Sequence, residues 1–185
     1  MDISEEEKNN FYFKHIDLKY HDHEIEAFNK KFLTYKDCFL LLPIEEVKEC
    51  LPSVFEWFEK NNISEVRTVC LIGHKASTNQ AIHTDVMSGC LAINIFLTPE
   101  SSEAVTRFYK TKDNITSGIA IGKVDDKISY NYFAKSNLDF VTCYKAENPV
   151  LLNVKQIHGI VNYTSAYRAS LSFRFVEDPW HLIKD

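Results

Sequence analysis

Gln80-Ala81-Ile82-His83-Thr84-Asp85 places an imidazole and a carboxylate two residues apart. In an extended segment residues i and i+2 share a face, so His83 and Asp85 project together if this stretch is a strand. A second stretch, Gln156-Ile157-His158-Gly159-Ile160, carries another imidazole, and ten residues past His158 comes Arg168-Ala169-Ser170. The rest of the chain is read as a scaffold that brings these side chains to one pocket.

Two imidazole nitrogens and one carboxylate oxygen on one side of a metal leave several coordination positions open. That donor set suits a non-haem Fe(II) centre, where substrate and dioxygen both need access. The bland alternatives are a hydrogen-bonded strand pair for His83 and Asp85, a buried core histidine for His158, a surface ion pair for Arg168 and a polar-face filler for Ser170.

Asn162-Tyr163-Thr164-Ser165 is rich in turn formers. After it, Arg168, Ser170, Ser172 and Arg174 alternate with Ala169, Leu171, Phe173 and Phe175, the pattern of a strand with one polar and one apolar face. An antiparallel hairpin between this strand and the one bearing His158 is expected. A guanidinium near a metal is shaped to hold a carboxylate through two parallel hydrogen bonds, so the expected ligand is an organic acid that also touches the metal.

The ordered set His83-Thr84-Asp85, His158 and Arg168-Ala169-Ser170 resembles the HxD…H…RxS pattern of the 2-oxoglutarate and Fe(II)-dependent dioxygenases. The resemblance spans about residues 66–176. It implies a double-stranded β-helix (jelly-roll, cupin-like) core, iron held by His83, Asp85 and His158, and the distal carboxylate of 2-oxoglutarate held by Arg168 and Ser170. It also implies hydroxylation or demethylation of a substrate it does not name, with dioxygen consumed and succinate and carbon dioxide released. Because Asp85 is present, these outcomes are preferred to halogenation. The alternative is a cupin-like metal or small-ligand binding protein on the same architecture, without 2-oxoglutarate turnover. A third reading, an inactive relative serving as an interaction module, is opposed by the intact His83, Asp85 and His158.

The 185 residues suit one domain, with 45% hydrophobic residues to fill a core and thirteen Phe and nine Tyr favouring β structure. Its expected parts are an N-terminal region over 1–65 packing on the sheet, a jelly-roll core over 66–176 and a tail over 177–185. A formal charge of −5 without a long basic run does not favour nucleic acid as a partner. No stretch reaches membrane-spanning length, and the acidic start lacks a secretory segment. Five scattered cysteines without CxxC spacing read as reduced thiols in a cytoplasmic protein.

Residues 1–10 are expected to fray, and His15, His21 and His23 to be solvated rather than metal-binding. Apolar spacing predicts a helix over 24–33, a buried strand over 37–42 and a helix over 44–60 that Pro52 kinks or splits. This helix is expected to cover the apolar outer face of the sheet. Strands follow at 66–73, around His83, at 90–97, 104–110, 138–144 and 149–154. In the third of these Leu91, Ile93, Ile95 and Leu97 face one way, and Asn94 faces the other as a candidate lining of the cofactor pocket. Residues 111–137 read as loops with one or two short strands that shape the substrate entrance.

Overall fold

The computed structural model describes residues 3–85, 89–112, 120–125 and 128–184, with backbone alone for 120–125, 128 and 129. It is mainly β. The strands are β1 (Phe13–His15), β2 (Cys38–Leu42), β3 (Val66–His74), β4 (His83–Asp85), β5 (Leu91–Phe96), β6 (Val105–Thr111), β7 (Ala120–Asp125), β8 (Ile128–Tyr132), β9 (Leu138–Lys145), β10 (Val150–Asn153), β11 (Ile157–Val161) and β12 (Arg168–Phe175). The helices are α1 (Glu5–Asn10), α2 (Asp22–Phe32), α3 (Ile44–Cys50) and α4 (Pro52–Lys60).

The strands form two antiparallel sheets, ordered β1-β10-β5-β12-β3-β2 and β7-β8-β4-β11-β6-β9. Along the chain β3, β5, β10 and β12 fall in the first sheet, and β4, β6, β9 and β11 in the second. This alternation winds the chain into a double-stranded β-helix.

Period-two alternation decides what each face does. On β12, Ala169, Leu171, Phe173 and Phe175 turn outward into a core shared with Val47, Leu51, Val54, Phe55 and Phe58 of the helical layer. Phe58 meets Phe173 and Phe175 edge-on, with ring centroids 5.2 and 5.3 Å apart. Truncating such a ring to Ala costs about 3–5 kcal/mol. Pro52 does split the helical run: it opens α4 at a position where its missing N–H costs nothing, with Leu51 between the two helices.

The flanks of the sandwich differ. Where β1 and β10 face β6 and β9, Phe13 stacks on Phe108 with centroids 5.9 Å apart and packs on Tyr144 at 5.0 Å. On the opposite flank Phe39 of β2 meets Tyr130 of β8.

Three expectations change. The strands bearing His158 and Arg168 are not hairpin partners: β11 lies between β4 and β6 in the second sheet, whereas β12 lies between β3 and β5 in the first. The Asn162 turn carries the chain from one sheet to the other, its side-chain amide donating to the carbonyls of Lys75 and Ala166. Next, β2 is an edge strand, not a buried one; it pairs only with β3, and Leu40 is 40% exposed. Finally, residues 5–10 form α1, capped by a Ser4–Glu7 box that the Ser-Glu-Glu-Glu sequence already spelled out. In the 111–137 stretch, β7 and β8 are the expected short strands, while residues 113–119, 126 and 127 lie outside the described residues, as do 86–88 after β4. No described helix is long and apolar enough to cross a membrane.

Candidate metal centre

His83 and Asp85 sit on β4 with the same inward facing, and His83 lies directly opposite His158 on β11. One ligand atom from each of His83, Asp85 and His158 lies within 4.8 Å of the others, and all three residues are buried. Among the described residues this is the cluster of metal-type side chains; His15, His21 and His23 form none.

The tautomers follow from neighbouring carbonyls. His83 Nδ1 lies 2.7 Å from the Ala81 oxygen and His158 Nδ1 lies 2.8 Å from the Gln156 oxygen. A carbonyl only accepts, so each Nδ1 carries the proton and each Nε2 offers a lone pair to the cavity. Both carbonyls are two residues upstream of their histidine, so the arrangement is local to each strand. Burial, then the proximity of His158, pushes the His83 pKa down to about 4, and burial also lowers that of His158. Both rings are therefore neutral at pH 7, the form that ligates.

Asp85 is held from two sides. Its Oδ1 stands 3.5 Å from His83 Nε2, and its Oδ2 pairs with Arg174 Nη2 at 2.5 Å. Pinning one oxygen leaves the other to face the imidazoles. Arg174 was not singled out as a site residue from the sequence, although its position on the Arg168 face of β12 was legible there. Its partner was not, because Asp85 belongs to the other sheet.

The recess around these groups is also lined by Asn94, Thr106, Tyr144 and Ser172. Asn94 therefore faces the recess, as its strand pattern predicted. Arg168 and Ser170 are 1% exposed and do not line it directly. Arg168 Nη2 donates to Thr106 Oγ1 at 3.3 Å, and its guanidinium lies 5.5 Å from the centre of the Phe96 ring. Burial lowers its pKa to about 10, so it stays a cation at neutral pH.

The polar atoms here are short of partners. Asn94 Oδ1, Arg168 Nε and Nη1, Ser170 Oγ, Ser172 Oγ and Arg174 Nη1 are buried and make no hydrogen bond among the described residues, and the Tyr144 hydroxyl, beside Thr106 and Asn94, makes no well-formed one. Buried polar groups are nearly always satisfied, because an unmet one costs about 1–3 kcal/mol. Such a cluster, running from the recess into the buried layer around Arg168, fits a polar ligand with an anionic group for Arg168 to pair. Tyr144 and Thr106 add to this set, and nothing local in the sequence marked them.

No family model and no curated protein matches the sequence. Solved structures do resemble the fold. The non-haem α-ketoglutarate-dependent carbocyclase SnoK from nogalamycin biosynthesis aligns over 100% of this chain and 92% of its own, at 11% identity and a TM-score of 0.50. The epimerase SnoN, in a structure with Fe3+, α-ketoglutarate and a nogalamycin species, aligns over 91% of this chain and 80% of its own, at 8% identity and a TM-score of 0.54. At such identities the likeness is one of fold: this chain has the double-stranded β-helix architecture of these two 2-oxoglutarate-dependent enzymes.

Proposed function

We propose that this protein is a non-haem Fe(II) and 2-oxoglutarate-dependent dioxygenase that hydroxylates or demethylates its substrate. The carrying observation is the combination of the His83, Asp85 and His158 donors with the unpartnered polar atoms beside them. In this reading His83 Nε2, His158 Nε2 and Asp85 Oδ1 hold Fe(II). Arg168, Ser170 and Asn94 hold 2-oxoglutarate, joined by Tyr144, Thr106 and Ser172. Fe(II) and 2-oxoglutarate together supply a dioxygen-derived oxidant strong enough to break a substrate C–H bond, with release of succinate and carbon dioxide.

The chain's own residues orient and shield that chemistry. The carbonyls of Ala81 and Gln156 keep both imidazoles in the ligating tautomer. Arg174 pairs with Asp85 Oδ2, so Oδ1 is the oxygen that would hold the metal. Arg168 pairs a carboxylate that would otherwise be costly to bury. The apolar packing of Phe13, Phe96 and Phe108 keeps water from the closed flank. We further read residues 1–185 as one working domain, with residues 1–65 as its covering layer, in a cytoplasmic protein.

Anaerobic titration of the Fe(II)-loaded protein with 2-oxoglutarate tests this. Wild type should bind, and Arg168→Ala should keep its iron but lose about a hundredfold or more in 2-oxoglutarate affinity, the consequence of stranding one end of a buried charge pair. Arg168→Lys should recover only part, because an ammonium lacks the planar two-point contact. His83→Ala and Asp85→Ala should sharply reduce Fe(II) bound per chain. Unchanged metal stoichiometry in both, or equal 2-oxoglutarate binding by Arg168→Ala, would overturn the reading and favour the cupin-like binder.

A further inference from the structure

A further imidazole borders Arg168. His74 closes β3, and the β3–β12 ladder sets it directly opposite Arg168. Opposed residues of an antiparallel pair share a face, so the His74 ring projects to the same inner side as Arg168 and Ser170. Its backbone is held on more than one side. Asn162 Nδ2 donates to the carbonyls of His74 at 3.4 Å and of Lys75 at 3.0 Å. Gly73, the residue before, packs so closely on the Tyr167 side chain that a Cβ has no room there.

The polar atoms at this end of the two strands are unmet together. His74 Nε2 is buried and makes no hydrogen bond among the described residues, and the same holds for Arg168 Nε and Nη1 and for Ser170 Oγ. The carboxylate whose charge acts on the ring, Asp37, is engaged with Lys75. Its Oδ1 accepts from the Lys75 backbone N–H at 2.6 Å, and its Oδ2 stands 3.6 Å from Lys75 Nζ. Burial, then the Arg168 cation, lowers the His74 pKa to about 4, so at pH 7 the ring is neutral and carries a single N–H. A side chain that served packing alone would be apolar here, because Leu or Phe covers Arg168 without burying an unmet nitrogen.

We propose that His74 is a third residue for the distal carboxylate of the co-substrate, donating from Nε2 to the group that Arg168 and Ser170 hold. It thereby favours an oxoacid with a carboxylate at both ends. This rests on the dioxygenase reading of the same site. A carboxylate has about four lone-pair positions, more than one guanidinium contact and one hydroxyl fill, and a buried anion needs its acceptors met. A carboxylate oxygen at Nε2 also selects the tautomer that has its proton there. A co-substrate ending in an apolar group would leave His74 Nε2, Ser170 Oγ and the Arg168 nitrogens as they stand in the structure, buried and unpaired.

The experiment uses protein loaded with Ni(II), titrated calorimetrically with 2-oxoglutarate and with oxalate, which chelates a metal but has no distal carboxylate. The variants are His74→Leu and His74→Phe, two apolar replacements, and His74→Gln, whose amide nitrogen can stand in for Nε2. His74→Leu and His74→Phe should bind 2-oxoglutarate about tenfold more weakly than wild type, as for a lost buried hydrogen bond to a charged group. Their oxalate affinity and their Ni(II) per chain should match wild type. His74→Gln should bind 2-oxoglutarate more tightly than either apolar variant. Undiminished 2-oxoglutarate affinity in the apolar variants, an equal loss for oxalate and 2-oxoglutarate, or no advantage of Gln over Leu and Phe would each overturn the proposal and leave the dioxygenase reading in place. Failure of wild type to bind 2-oxoglutarate would instead remove that reading, and this inference with it.

Discussion

Arg174 Nη2 lies 2.5 Å from Asp85 Oδ2, joining the last strand of one sheet to the short ligand strand of the other. Both side chains are about nine-tenths buried, so the pair is little screened. Arg174→Ala should destabilise the metal-free protein by about 3 kcal/mol, because it leaves a buried carboxylate unpaired. A divalent cation can take over that pairing. Ni(II) should therefore raise the melting temperature more in Arg174→Ala than in wild type. Equal increments would show that Asp85 does not need Arg174.

Tyr144 offers a test in which stability and binding move apart. Its buried hydroxyl sits beside Thr106 and Asn94 without a well-formed hydrogen bond, so Tyr144→Phe removes a poorly met polar group. The metal-free variant should be at least as stable as wild type, while its affinity for 2-oxoglutarate should fall about tenfold, as for a lost buried hydrogen bond of about 1.4 kcal/mol. A destabilised variant with unaltered binding would assign the hydroxyl to the fold instead.

The histidines predict how the metal-free protein responds to acid. Burial and neighbouring positive charge lower His83 and His74 to about 4, against an unperturbed 6.5. Between those values the unfolded chain binds more protons, so their contribution to stability is present above about pH 6.5 and is lost as pH falls toward 4. Thermal melts from pH 7.5 to 4 should show that decline. His74→Gln should flatten part of it without changing the metal bound per chain.

All five cysteines, Cys38, Cys50, Cys70, Cys90 and Cys143, are free in the structure. Titration under denaturing, non-reducing conditions should count five thiols. A count of three or one in fresh protein would reveal a pairing at odds with this arrangement.

Much of the site was legible because a strand's period of two is local. The spacing of His83 and Asp85 put them on one face whatever the strand paired with, and the alternation from Arg168 to Phe175 separated a polar interior from an apolar exterior that α3 and α4 cover. The same logic placed Asn94 opposite Ile93 and Ile95. The helix over 44–60 was readable with its break, because Pro52 acts on its own backbone. The α1 cap was equally local and was passed over as a polar terminus.

Strand partnership had no such local code. His158 and Arg168 are ten residues apart and joined by turn formers, which describes a hairpin as well as it describes a crossing between sheets. The choice was made by long-range ladders: β11 pairs with β4 and β6, and β12 with β3 and β5. The same ladders brought Arg174 to Asp85, Tyr144 and Thr106 to Arg168, and Phe39 to Tyr130. By itself the sequence determined which side chains share a face, because neighbouring backbone geometry decides that. Only the tertiary structure decided which faces meet, because burying apolar surface on both sheets at once depends on residues far apart in the chain.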